Sequence, residues 1–279
     1  MDRNRVWTWS LAGLLLAGLV ILASVGSASA QGLILNLPKK DGAWVRFEGT
    51  VKQIEFRPDA AEGDISLEWI QQLTIKSVGS ETAKYHDKQV PCRWIEVKIV
   101  TGKASESGIE AGPVGERIYK VLVPEERVVG QLADGEKIPF SFLDVIKGFR
   151  KTGGQVTPIP PGSLQVFPLI APVMHYEAVE VAGSENEEVP LPGGAVKTQK
   201  FKAKRTIESS TDRSVNEAEI WRGDGNTVPF GLVRWTVKTL LERKDATQPR
   251  QGYKSVTQTA VEMTAHEWGT GAKSEVTPN

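Results

Sequence analysis

The sequence predicts a mostly β fold: a single large curved antiparallel sheet, an open or half barrel, with one or two short helices. Three observations predict it. Apolar residues recur at every second position through most of the chain, and many are β-branched or aromatic. The connections between these runs are mostly short and rich in turn-forming residues. Helix and strand patterns do not alternate regularly, which favours hairpins and meanders over a parallel sheet.

Trp44–Val51 places Val45, Phe47 and Val51 on one face and Arg46 and Glu48 on the other. Leu67–Val78 is a longer, less regular strand. Arg93–Thr101 sets Ile95, Val97 and Ile99 against Trp94, Glu96 and Lys98, and Glu116–Val123 groups Tyr119, Val121 and Val123 opposite Lys120. The intervening GKASESGIEAGPVG reads as a long, exposed hairpin loop. Ser141–Lys151 is the best helix candidate, because Phe142, Val145, Ile146 and Phe149 recur at helical spacing and Gly153 follows as a stop.

Residues 152–172 form a proline-rich segment with Pro158, Pro160, Pro161, Pro168 and Pro172, which rules out a helix or a central strand. Its apolar Val166, Phe167, Leu169 and Ile170 favour an extended segment crossing the sheet over a free linker. Further strands are expected at Met174–Val181, Lys200–Ser209, Val215–Arg222, Gly231–Leu241 and Lys254–Ala265, with the acidic GSENEEVPLPGG as a loop. Residues 31–279 are read as a single β-rich domain.

Met1–Ala30 has the form of an export signal. Arg3 and Arg5 precede an uncharged stretch from Val6 to Gly26, and Ser27-Ala28-Ser29-Ala30 supplies the small residues of a cleavage site. Left uncleaved, that stretch would extend about 31 Å as a helix, enough to anchor the chain in a bilayer. Either way residues 31–279 are expected outside the cytoplasm, periplasmic or secreted.

The 34 Lys+Arg and 34 Asp+Glu cancel, so the chain lacks the basic excess of a nucleic-acid binder, and nucleic acid is not an expected partner. A single cysteine excludes an internal disulfide framework, and Cys92 reads as a small buried side chain. The histidines His86, His175 and His266 lack metal-ligand spacing, and a site assembled from His175, Glu177, His266 and Glu267 is the remote alternative. Nucleophile, phosphate-loop and dinucleotide motifs are absent from the sequence. The strand carboxylates Glu68, Glu96, Glu177, Glu219 and Glu262 are expected on a wet face, with a glycosidase-type pair as the rival reading. The basic run Lys197–Arg205 is expected to be a solvated edge strand, with contact to a nucleic-acid backbone or an anionic lipid surface as the rival reading, and Arg222-Gly223-Asp224 an ordinary turn.

Tryptophans carry the ligand expectation. Trp94 and Trp221 fall opposite the main apolar set of their strands, whereas Trp235 falls on the apolar side. Aromatics on both faces are expected either to be covered by a helix or the proline-rich segment or to line a second contact surface, and on the latter reading Trp94, Trp221 and Trp235 are the candidate ligand-binding residues. No cofactor and no metal site is expected.

The stretch VPFGLVRW (Val228–Trp235) enters a long strand after a loop, among hairpins and behind an export signal. Together with VLVPEE and FLDVIKGFRKTGG within Val121–Gly154, it resembles the LolA/LolB-type lipoprotein carriers of the bacterial envelope, as seen in uncharacterised secreted bacterial proteins. In those carriers an incomplete barrel and a helical lid enclose an apolar cavity that holds acyl chains. This chain departs in having few helix candidates for a lid, with the proline-rich segment in that place. The resemblance therefore implies architecture and no site residues.

The expected function is an exported, non-enzymatic binding or carrier module for an apolar or amphipathic ligand of the envelope, such as a lipid or acyl chain. The alternatives are a structural or protein-interaction module of the cell surface, with an envelope protein as partner, and a carboxylate-pair hydrolase. Membrane contact is expected only through residues 6–26, if uncleaved.

Overall fold

The computed structural model describes residues 34–106, 108–128, 144–163, 178–182 and 186–277. The export segment, Phe142 of the helix candidate, and residues 164–172 of the proline-rich segment lie outside them, as do His175 and Glu177. The described residues form fourteen strands: β1 (Trp44–Glu55), β2 (Ile65–Tyr85), β3 (Lys88–Ser105), β4 (Gly108–Pro124), β5 (Asp144–Val145), β6 (Lys147–Thr152), β7 (Gln155–Ile159), β8 (Gly162–Ser163), β9 (Ala178–Val181), β10 (Glu187–Val189), β11 (Val196–Glu208), β12 (Asp212–Arg222), β13 (Leu232–Arg243) and β14 (Lys254–Gly269).

Twelve of these strands make one open antiparallel sheet in the order β10-β11-β12-β13-β14-β1-β2-β3-β4-β6-β7, with β9 also paired to β11. β5 and β8 form a separate two-stranded sheet. The large sheet consists of two meanders joined at a seam, where β1 pairs with β14 from Trp44↔Gly269 to Glu55↔Thr257. Gly49 makes that seam possible, since a Cβ there would lie 1.8 Å from the Glu262 carbonyl oxygen.

Alternation gives the sheet two unlike faces. Val45, Phe47, Ile75, Val97, Tyr119, Met263, Trp235 and Ile220 share the apolar face through their cross-strand register. They join one buried cluster with Ile34, Leu35, Val228 and Phe230, residues outside the strands that pack on the core. Leu35 N–H and Asn36 N–H both donate to the Phe230 carbonyl, fixing the leading segment at that position. At the centre, Phe47 meets Trp235 edge-on with ring centroids 4.9 Å apart.

Several expectations need correction. The helix expected at Ser141–Lys151 is strand from Asp144 onward, in β5 and β6, and the described residues hold only two short 3-10 turns and no α-helix. The apolar residues there do not form one stripe. Val145 enters the main core, Ile146 packs against a smaller cluster, and Phe149 stacks on Trp94. Gly148 permits this, because a Cβ there would come within 2.9 Å of Val121.

The hairpin expected at Gly102–Gly115 is present, but its long loop is mostly paired strand. β3 runs to Ser105 and β4 resumes at Gly108, with Lys103↔Glu110 and Ala104↔Ile109 in register. Glycine again decides the matter: a Cβ on Gly102 would meet the Glu110 carbonyl oxygen at 2.1 Å. The acidic loop contains β10, paired to β11. Pro158 does lie in a strand, but β7 is the sheet's edge, where a missing N–H costs no ladder bond.

Candidate functional site

The second face is charged, and its cross-strand rows can be read from the register. One row runs Lys204, Glu217, Lys238, Ala260, Lys52, Glu68 from β11 across to β2. The next runs Lys202, Glu219, Thr236, Glu262, Thr50, and a third runs Lys200, Trp221, Arg234, Thr264, Glu48. Between β11 and β1 this face is hollowed into a groove of about 740 Å³, whose lining includes Lys52, Lys202, Lys204, Lys238, Glu217 and Glu262.

Each carboxylate in the lining already has a cation. Glu217 pairs with Lys204 at 2.7 Å, Glu219 with Lys200 at 3.0 Å and Lys202 at 3.4 Å, and Glu262 with Arg234. Partial burial pushes the Glu219 carboxyl up, but hydrogen bonds and charge from the two lysines outweigh it and hold its pKa below the ordinary carboxylate value. Lys52 and Lys238, both exposed, have no ion-pair partner among the described residues.

The other half of the charged face is covered. Residues 271–277 cross β2, β3, β4 and β6 as a strap. Its anchor is Glu96, whose carboxylate is fully buried and accepts from Lys76 Nζ (3.1 Å), Ser274 Oγ (2.7 Å) and the Glu275 N–H (2.9 Å). The Glu275 carboxylate in turn takes Lys76 and Lys98, the latter at 2.8 Å. Lys120 Nζ donates to the Val276 carbonyl and Lys151 Nζ to the Glu275 carbonyl. Burial raises the Glu275 pKa, but the two lysines more than reverse this and leave it below its ordinary value of 4.5.

The three candidate ligand residues part company. Trp94 and Trp221 lie on the charged face and Trp235 on the apolar one, as the alternation of their strands requires. Trp235 is 1% exposed and belongs to the core, where its Nε1 has no hydrogen-bond partner among the described residues. Trp221 is buried beneath Lys200 and Arg234, which stand 4.4 and 4.9 Å from its ring centroid, and its Nε1 donates to Glu187 at 2.9 Å. It abuts the groove's second row without lining the groove. Trp94 is half-buried opposite a bulge in β2, donates to Glu81, stacks on Phe149, and packs with Val90, Cys92 and Leu122.

Cys92 is buried, its Sγ donates to the Val90 carbonyl, and desolvation raises its pKa. His266 is exposed with Nδ1 3.6 Å from Glu48, and the described residues contain no group of three metal ligands. The Lys197–Arg205 run lies in β11, which is not the edge strand expected, since β12 pairs with one side of it and β9 and β10 with the other; its Lys200, Lys202 and Lys204 pair with glutamates of β12. Asp224 of the Arg-Gly-Asp tripeptide accepts the N–H groups of Asn226 and Thr227, as an ordinary turn residue does.

Sequence reasoning missed the groove itself. Its lining is lysine, glutamate, threonine and alanine with Val237 and Val261, and the charged members read one strand at a time as a wet face. The signal was present in the spacing of Lys52 and Lys238 around Ala260, but it becomes legible only once the register is known. No known family model matches the sequence, and no curated protein matches it either.

Proposed function

We propose that this chain is an exported, non-enzymatic binding or carrier module of the bacterial cell envelope, and that an amphipathic ligand docks in the groove of the charged face. The groove carries this reading: about 740 Å³ falls within the 300–1,000 Å³ of ligand sites, and its acids are satisfied while two of its ammonium groups are not. The ligand is amphipathic and not purely apolar, because aromatics do not line the groove and the apolar face is occupied by the chain's own core. The resemblance to the LolA/LolB-type carriers supports the open-sheet architecture of this reading, and the lysines and glutamates of the groove set its chemistry apart from their apolar cavity.

The rival readings have less support. A cell-surface interaction module needs an apolar patch, and Leu67 is the one large hydrophobic among the described residues that is exposed. A hydrolase needs a carboxylic acid held protonated, whereas every displaced carboxyl among the described residues is displaced downward, Glu219 and Glu275 included.

Calorimetric titration of the purified protein with dodecyl amphiphiles of neutral, anionic and cationic headgroup tests the proposal. At least one should bind at one-to-one stoichiometry below its micellar concentration. Failure of all three to bind would overturn it.

A further inference from the structure

We infer that the groove seats the oxyanion headgroup of an amphiphile, a phosphate or carboxylate, between Lys52 and Lys238 and over Ala260. This rests on the groove being the ligand site and names the chemistry of its polar end.

Lys52 of β1 and Lys238 of β13 both stand opposite Ala260 of β14, so they face the same side two strands apart, about 9.5 Å at the backbone. Each ammonium sits on a flexible four-carbon stem, and the two can converge on one group above the strand between them. That strand presents only a methyl there, which leaves space where a longer side chain would stand.

Competing acids near the pair are few, and most are engaged. Glu217, next to Lys238 in the row, is held by Lys204 at 2.7 Å. Glu262 is held by Arg234, and Glu219 is shared by Lys200 and Lys202. Glu68 stands opposite Lys52 on the outer side and does not pair with it. The lining thus holds four lysines against three glutamates, with Lys200 and Arg234 adding to the positive side, so an anion restores the balance.

The same sheet face shows this device already occupied. Lys76 of β2 and Lys98 of β3 converge on the single carboxylate of Glu275, which the strap lays across them. Over the groove the chain supplies no such group among the described residues. An amphiphile suits the place better than a free ion, since a groove of about 740 Å³ is far larger than one oxyanion and has room for the atoms that follow the headgroup.

The test compares dodecyl phosphate, dodecyl maltoside and inorganic phosphate by calorimetry on the purified protein and on a Lys52→Gln/Lys238→Gln variant. Both lysines are exposed, so the variant should fold normally, which an unchanged melting temperature verifies. Dodecyl phosphate should bind about tenfold tighter than dodecyl maltoside, and the double substitution should abolish that preference while leaving maltoside binding unchanged. A Lys84→Gln control, which removes a surface pair with Asp87 at the β2–β3 turn, should keep the preference.

Equal binding of the two amphiphiles, or a preference that survives in the double variant, would overturn the oxyanion assignment while leaving the groove reading intact. Inorganic phosphate binding as tightly as dodecyl phosphate would overturn the amphiphile, leaving an ion subsite only. Failure of both amphiphiles here, and of the cationic one in the titration that tests the proposed function, would remove the groove reading itself.

Discussion

Replacing Glu96 with alanine tests whether the strap and the sheet are one cooperative unit. The carboxylate is fully buried and has three donors, Lys76, Ser274 and the Glu275 N–H, two of which belong to the strap. Removing one partner of a buried ion pair typically costs about 3–5 kcal/mol. Lys76 keeps its contact with Glu275 and some solvent access, so the lower end, about 3 kcal/mol, is expected here. Deleting residues 271–279 removes the two strap donors by another route. Hydrogen bonds to a charged acceptor contribute about 1.5–3 kcal/mol each, so a large part of either loss is the same loss counted twice.

The two perturbations should therefore be strongly non-additive. Urea unfolding of the parent protein, the Glu96→Ala variant, the truncated chain and the combination should give a coupling energy of about 2 kcal/mol. Additivity within about 0.5 kcal/mol would refute the reasoning, because it would mean that the buried carboxylate does not hold the strap.

Acid should release the strap. The folded-state pKa of Glu275 lies below its ordinary 4.5, so its contribution is complete above that value and lost as pH falls through the folded value. The carbon chemical shift of the Glu275 carboxyl should titrate with a midpoint below 4.5, and a midpoint at or above 4.5 would contradict the lysine clamp. In the core, Trp235→Ala should cost about 3–5 kcal/mol in chemical unfolding. Trp235→Phe should cost less than half of that, because it also removes an N–H that has no partner among the described residues. At the seam, Gly49→Ala sets a methyl against the Glu262 carbonyl and should destabilise the fold by about 3 kcal/mol or more, read as a large fall in melting temperature.

The strands with clean alternation were legible in the sequence, and so was the assignment of side chains to faces. Trp44–Val51 and Gly231–Leu241 correspond to β1 and β13, and Trp94 and Trp221 do lie opposite the apolar set. What escaped depended on contacts between distant segments. Val145, Ile146 and Phe149 imitate a helical stripe, yet they serve separate clusters, and nothing local reveals that Gly148 must let β4 approach. The turn at His86 and Asp87, both at positive φ, lacks the glycine that usually announces a two-residue hairpin, although the dipeptide suits the requirement. The same limit applies to the site. The excess of lysine in the groove is invisible strand by strand, since Lys52 and Lys238 are separated by most of the chain and meet only across Ala260.

The seam between β1 and β14 has a consequence for how the molecule matures. Each meander can zip up from its own hairpins as it emerges, but the junction needs the earliest long strand and the latest one together, so it must be the slow, high-contact-order step. Until then each half presents a bare strand edge, β1 on one side and β14 on the other, and each is a template for pairing with the wrong chain. A nascent copy therefore stays vulnerable to its neighbours until residue 269 has been delivered, and conditions that slow delivery should favour aggregates in which β1 of one copy has paired with β14 of another.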